Sequence, residues 1–259
     1  MIHTENVQEV YSKKNIPIWL ISAFKAGLIN SAGLLATGKF VSHVTGFGTQ
    51  VGMAIGHDDY FFGAELLIIP ISFIFGGVLT SLILDKNYES DETPPYWKVQ
   101  SLITLLILVV IFLGESGIIE SSTQFDSDER YSAIEFTMIG LLCLICGLKN
   151  SLVTWTTFGK IRVTHLTGLS TDLGLNLVRN FKKSWPSPRF KEDPSVNILR
   201  IMTFLFFSTG AFISALLFPK IGYKVFFIVL FISLFMTGIS ILDAKKRRKD
   251  SDSDLVAVN

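Results

Sequence analysis

Long runs without charge alternate along this chain with short polar connections. Six runs reach the roughly 20 residues that a helix needs to cross a hydrocarbon layer of about 30 Å. They cover residues 16–38, 62–84, 99–116, 134–155, 198–218 and 223–242. Lipid offers no partner to a free backbone N–H or C=O, so such runs are helices unless they close a barrel. The period-two alternation of a membrane barrel is absent. The pattern therefore predicts an all-α polytopic transmembrane bundle, a single membrane domain over residues 1–259 with a tail at 243–259. Two further semi-apolar segments, 43–56 and 165–179, are too short for ordinary spans. Each closely follows a span, and they read as short helical segments that either re-enter or cross.

Those two segments begin almost identically. AGLINS at 26–31 is followed by HVTGFGTQVG at 43–52, and CGLKNS at 146–151 by HLTGLSTDLG at 165–174. A weaker third match aligns FGGVLTSLIL at 75–84 with TGAFISALLF at 209–218. The chain thus divides into two copies, residues 16–116 and 134–242, each with three spans and one short segment. Three is odd, so if the short segments do not cross, the copies have opposite orientation: an inverted internal repeat, a recurrent transporter architecture. If they cross, the repeat is parallel.

The same elements resemble the YoaK-like family of bacterial integral membrane proteins, a domain of unknown function. The resemblance covers about residues 16–242 and is carried by residues 27–30, 43–46, 147–150 and 166–168. The family pattern has Asp where Asn30 stands and Asn where Phe47 stands. Loss of that carboxylate counts against a cation- or proton-coupling role at Asn30. The resemblance implies fold and membrane location, not an activity.

Composition agrees with the pattern: 49% of residues are hydrophobic, 17% are charged, and the mean hydropathy is +0.47. A soluble chain carries about 25% charged residues. Six spans with both termini cytoplasmic place most of the 23 lysines and arginines inside, as the positive-inside rule requires. The polar leader through Asn15 ends in Lys13 and Lys14. It begins like a signal peptide, but its apolar run is long and belongs to the repeat, which predicts a retained first span. The expected location is the bacterial inner (plasma) membrane. The basic loop 179–191 and the KKRRK run at 245–249 are expected to meet anionic lipid headgroups, and no nucleic acid.

Candidate chemistry is sparse. No nucleophile, zincin or phosphate-cradling motif occurs, so no catalytic residue, cofactor or metal is assigned and the chain is not expected to be an enzyme. Cys143 and Cys146 lie one turn apart in an apolar run, without further ligands to complete a metal site. Thr45 and Thr167 are placed to cap the short helices, beside His43 and His165. Gly48, Gly52 and Gly56, with Ser170 and Gly174 in the second copy, form small-residue faces suited to helix packing. Lys25, Glu65 and Lys149 are charges inside apolar runs, where charges mark cavities or partners. Asn30, His43, Thr45, Lys149, Asn150, His165 and Thr167 are expected to converge near the midplane around a small solute. The leading expectation is a small-solute transporter or channel-like carrier; a non-transporting scaffold or assembly factor is the alternative.

Overall fold

The computed structural model describes residues 4, 6–86, 94–117, 132–181 and 194–258, and among these it is helical with no strand. After a single turn, α1 (Val7–Val10), come α2 (Ile16–Thr37), α3 (Val44–Gly56), α4 (Tyr60–Leu66), α5 (Ile68–Leu84) and α6 (Tyr96–Glu115). The second part contains α7 (Ala133–Thr156), α8 (Leu166–Phe181), α9 (Pro194–Ile221) and α10 (Phe226–Val258). Among the described residues, five helical stretches are long and apolar enough to cross a membrane: Ile16–Thr37, Tyr60–Leu84, Tyr96–Glu115, Ala133–Thr156 and the 55-residue run Ser195–Lys249.

Local signals set the boundaries. Pro17 occupies the first turn of α2, and Gly38 ends it with φ of 67°, the left-handed conformation favoured after a helix. Ser132 and Glu135 form a reciprocal capping box at the start of α7. The run from 195 to 249 is interrupted at Ile221 and at Gly222, whose φ is 57°, by a 3-10 turn at Gly222–Val225.

Two helix pairs hold the bundle by backbone contact. In the first, α2 meets α9: a Cβ on Gly27 would lie 1.9 Å from the Phe207 carbonyl oxygen, and one on Gly210 would lie 2.1 Å from that of Phe24. In the second, α7 meets α5: a Cβ on Gly147 would lie 2.1 Å from the Phe73 carbonyl oxygen, and one on Gly76 would lie 2.5 Å from the Leu148 nitrogen. Apolar burial separates helices from water but not from lipid, so close approach of this kind must do more of the packing in a membrane. A third pair joins α6 and α10, where the Thr104 and Thr237 hydroxyls are 3.1 Å apart.

These contacts also give the helix directions. The start of α6 meets the end of α7 through Tyr96 and Trp155, whose ring centroids are 5.6 Å apart. Trp155 Nε1 donates to Asp85 Oδ1 at the end of α5, 2.7 Å away. Thr4, upstream of α2, donates to the Thr156 carbonyl. Tyr96 lies within electrostatic reach of Asp243 and Arg247 on α10. Tyr11, just before α2, borders one space with Val196 and Leu199 of α9, so one end of the bundle collects the starts of α2, α6 and α9 and the ends of α5 and α7, with α10 passing out through it. At the other end Tyr223 packs on Gly114 of α6 and feels Glu135 of α7. It follows that α9 runs with α2, while α5, α7 and α10 run against it.

Charge follows the same division. Lys13, Lys14, Lys86, Lys98, Lys160, Arg162 and residues 245–249 belong to the first, basic end; Lys39, Lys220 and Lys224 share the second with Asp58, Asp59, Glu115 and Glu135. Residues 243–258, read from sequence as a tail, continue α10 as helix. An Arg247–Asp243 pair at 3.3 Å, spaced i,i+4, supports that continuation. Most of the basic loop 179–191 lies outside the described residues.

Candidate functional site

A charged side chain at the centre of a membrane helix costs about 2.5–3.5 kcal/mol on insertion scales. Two lysines nevertheless occupy the core. Lys25 and Lys149 are 0% and 2% exposed. They stand on α2 and α7, which run in opposite directions and touch where Gly33 meets Leu142. Lys25 Nζ donates to Ser233 Oγ of α10 at 3.1 Å. Lys149 Nζ is buried and has no hydrogen-bond partner among the described residues. Both head groups interact electrostatically with Cys146, and Lys149 also with Lys25. Among the described residues no carboxylate pairs with either lysine. Next to Lys149, the Asn150 Nδ2 donor is also buried and unpaired. The core therefore holds two lysine head groups and an amide donor, with no carboxylate beside them among the described residues.

The short helices begin alongside the spans they follow, with His43, Thr45, His165 and Thr167 exposed. After α2 the chain turns back along the helix it has just left. Val41 packs its methyl groups on Gly33, and Ser42 Oγ donates to Asn30 Oδ1 at 2.7 Å. Asn30 lies two turns before the end of α2, so α3 starts about 10 Å in from that end. His43 occupies the N-cap position of α3 and its side chain makes no capping hydrogen bond. Its ring covers the first turn, leaving 2.7 Å between Nδ1 and the position of a Cβ on Gly46. Nearby, Lys39 Nζ lies 5.8 Å from the centroid of the Phe62 ring, and burial holds its pKa below the usual lysine value.

The second copy turns back similarly. Asn150, Arg162 and His165 line one cavity of about 340 Å³ against α5 and α7. Arg162 and His165 also border a neighbouring cavity of about 300 Å³, enclosed by Tyr11, the α7–α8 connection, α8 and the start of α9. His165 is exposed overall, yet partial desolvation of its ring first, and then the Arg162 charge, lower its pKa.

The residues expected to share one midplane site are thus divided. Asn30 and His43 group at the level of the α2 end, whereas Asn150 and His165 group toward the basic end. None of Asn30, His43 and Thr45 lines either cavity. Each loop packs against the span preceding it, and this separates the two groups. The capping role expected of Thr45 and Thr167 is also corrected. Helices α3 and α8 begin at Val44 and Leu166, which puts both threonines within the first turn and exposed. The packing expected at Gly48, Gly52, Gly56 and Gly174 is not made within the described chain, because a Cβ at each would meet nothing within 4 Å; Ser170 is likewise exposed. Packing falls to Gly27, Gly76, Gly147 and Gly210. All four lay in the aligned repeat blocks, and each is followed four residues later by a small residue, Ser31, Thr80, Ser151 or Ser214, a small-xxx-small spacing overshadowed in the sequence by the glycine-only run of α3. Glu65 sits half-buried in α4, near the second end. Cys143 and Cys146 are free and buried.

This architecture, a multi-pass helical bundle with a buried basic core, defines the class. The chain belongs to the family described as protein of unknown function (DUF1275), whose model matches residues 18–239. No curated protein and no solved structure matches the chain.

Proposed function

We propose that the chain is a small-solute carrier of the bacterial inner membrane, built from two inverted halves at residues 16–116 and 134–242. It crosses six times, α9 and α10 each counting once, with both termini cytoplasmic. The matched glycine interlocks support the inversion: α2 meets α9 as α7 meets α5, and the exchange carries Gly27 to Gly147 and Gly210 to Gly76. The basic end then faces the cytoplasm, and the KKRRK run meets anionic lipid headgroups. The resemblance to YoaK-like membrane proteins agrees with this location.

One observation carries the carrier reading: two buried lysines share a core with no carboxylate beside them among the described residues. A cavity from the basic end reaches Asn150, the residue next to Lys149. A solute with an anionic or zwitterionic polar group supplies the missing acceptors. The test is uptake into proteoliposomes of small anionic, zwitterionic and neutral solutes. Wild-type chain is expected to take up an anionic or zwitterionic solute above protein-free vesicles, and Lys149→Met to abolish uptake while reconstituting normally.

A second reading, a non-transporting scaffold, is favoured by the backbone contacts that pack the core at Gly27 and Gly147. It predicts no uptake of any solute class and wild-type stability for Lys149→Met. Neither reading assigns a catalytic residue.

A further inference from the structure

We propose that Asn150, in the cavity against α5 and α7, recognises a hydroxyl group of the solute, and that the solute is a small hydroxylated acid or zwitterion. The two halves carry the same amide and the same returning loop: Asn30 is followed by VSHVTG at 41–46, and Asn150 by VTHLTG at 163–168. In the first half the loop places its own hydroxyl on the amide, since Ser42 Oγ donates to Asn30 Oδ1 at 2.7 Å. In the second half the corresponding hydroxyl does not reach the amide. Thr164 Oγ1 and Asn150 Nδ2 are both buried and have no hydrogen-bond partner among the described residues. A cavity of about 340 Å³ lies against Asn150 instead.

One substitution between the halves accounts for the difference. Gly33 on α2 gives Val41 room to lie on the helix, for a Cβ there would stand 2.8 Å from Val41 Cγ2. The matching position of α7 is Val153, whose branched side chain keeps the second loop from settling in the same way. The second connection is also two residues longer. Ser42 shows which group suits this amide: a hydroxyl, which accepts from an amide N–H and donates to an amide oxygen. Asn150 is 9% exposed. It stands about 9 Å in from the end of α7, and a donor buried there is costly to leave unpaired. Ser151 and Thr154 add hydroxyls to the same wall, Phe73 and Trp155 add apolar faces, and no lining residue is a carboxylate. The exposed Arg162 and His165 border the cavity too, but recognition of a hydroxyl does not need them. The volume lies at the small end of ligand sites, about 300–1,000 Å³, which suits a molecule of a few carbons.

The inference rests on the carrier reading for its solute, but binding alone tests it. The full chain in nanodiscs is titrated at constant ionic strength with two pairs of probes, lactate against propionate and serine against alanine. The members of each pair differ by one hydroxyl, and the thermal midpoint is the readout. Wild-type chain is expected to bind the hydroxylated member of at least one pair about tenfold more tightly, the scale of one hydrogen bond to a buried donor. Asn150→Ala should bring both members to the weaker affinity, and Asn150→Leu, closer to the native volume, should do the same. The Asn150 donor has no partner among the described residues, so its loss spares the fold. Ser42→Ala, in the first half, should leave the preference intact. Equal affinities within both pairs, absence of binding, or a preference that survives Asn150→Ala overturns the proposal, as does an equal loss in Ser42→Ala. A chain that prefers lactate or serine in this way yet takes up neither fails as a carrier and not here. A chain that takes up a solute while ignoring its hydroxyl fails here and remains a carrier.

Discussion

The four interlocking glycines and the four open ones make opposite predictions for the same substitution. At Gly147 a methyl group would sit 2.1 Å from the Phe73 carbonyl oxygen, a backbone atom that cannot swing aside. Gly147→Ala must separate α5 from α7 and is expected to cost about 1–3 kcal/mol, the scale of overpacking a tight core. At Gly52, inside α3, a methyl group meets nothing. Gly52→Ala should be neutral or gain up to about 1 kcal/mol from helix propensity. Thermal unfolding in detergent separates the two, and equal effects would mean that the interlock carries no stability. His165 supports a pH prediction at the same scale. Its folded pKa is below 6.5, so the folded state resists protonation that the unfolded chain accepts. Stability is therefore fully retained above about 6.5 and falls as pH drops below it. His165→Gln should flatten that decline, measured as thermal midpoint between pH 5 and 7. The difference between the two glycine sets was not legible in the sequence. Gly48, Gly52 and Gly56 carry the familiar four-residue spacing, yet the partner they require is missing from the described chain. Gly27 and Gly210 share that spacing with Ser31 and Ser214, so spacing alone does not tell the packed set from the open one; the partner helix, far away in the chain, does.

At the scale of the element, sequence and structure agree where a run of apolar residues alone decides. Residues 16–38 became α2 and 134–155 became α7 within a residue or two, since a chain in lipid has to pair its own backbone. Agreement is weaker where packing decides. The run 62–84 is broken at Leu67 into α4 and α5, and α10 continues well past its last apolar turn. The short segments show why their depth was not readable. Hydropathy marks residues 43–56, and α3 covers 13 of them, but its start depends on Ser42 bonding to Asn30 and Val41 filling the space over Gly33. Both are contacts of the loop rather than of the helix. The α6–α10 pair allows a direct measurement of what polar contacts contribute in this bundle. Thr104→Val and Thr237→Val, alone and combined, form a double-mutant cycle. The coupling expected from the 3.1 Å hydroxyl contact is about 0.6 kcal/mol, the average for such bonds within membranes. A coupling near zero would indicate that each hydroxyl is satisfied by its own helix. Each has such a bond available, Thr104 with the Gln100 carbonyl and Thr237 with that of Ser233.

For the whole molecule, the consequential quantity is the asymmetry between the two ends. Both the directions of the helices and the distribution of charge divide the bundle the same way, although they are independent: contacts fix the first and composition the second. With six crossings, Lys98 at the start of α6 faces the cytoplasm and Glu115 at its end faces outward. If the short helices crossed as well, α6 would still cross once, but the two copies would run in the same direction, and the starts of α2 and α7 would share a side. The two natural cysteines are buried, so an unmodified chain gives little background with a membrane-impermeant thiol reagent. Three single-cysteine positions then decide the topology: Lys98→Cys, Glu115→Cys and Glu135→Cys, each side chain lying at a helix end. In right-side-out vesicles, Glu115→Cys and Glu135→Cys should be labelled and Lys98→Cys protected. Inside-out vesicles should give the reverse. Labelling of Lys98→Cys from outside would place the basic end outward, against the positive-inside rule. Labelling of Glu115→Cys and Glu135→Cys from opposite faces would mean an extra crossing between α6 and α7, and the inverted arrangement of α2 and α7 would fall with it.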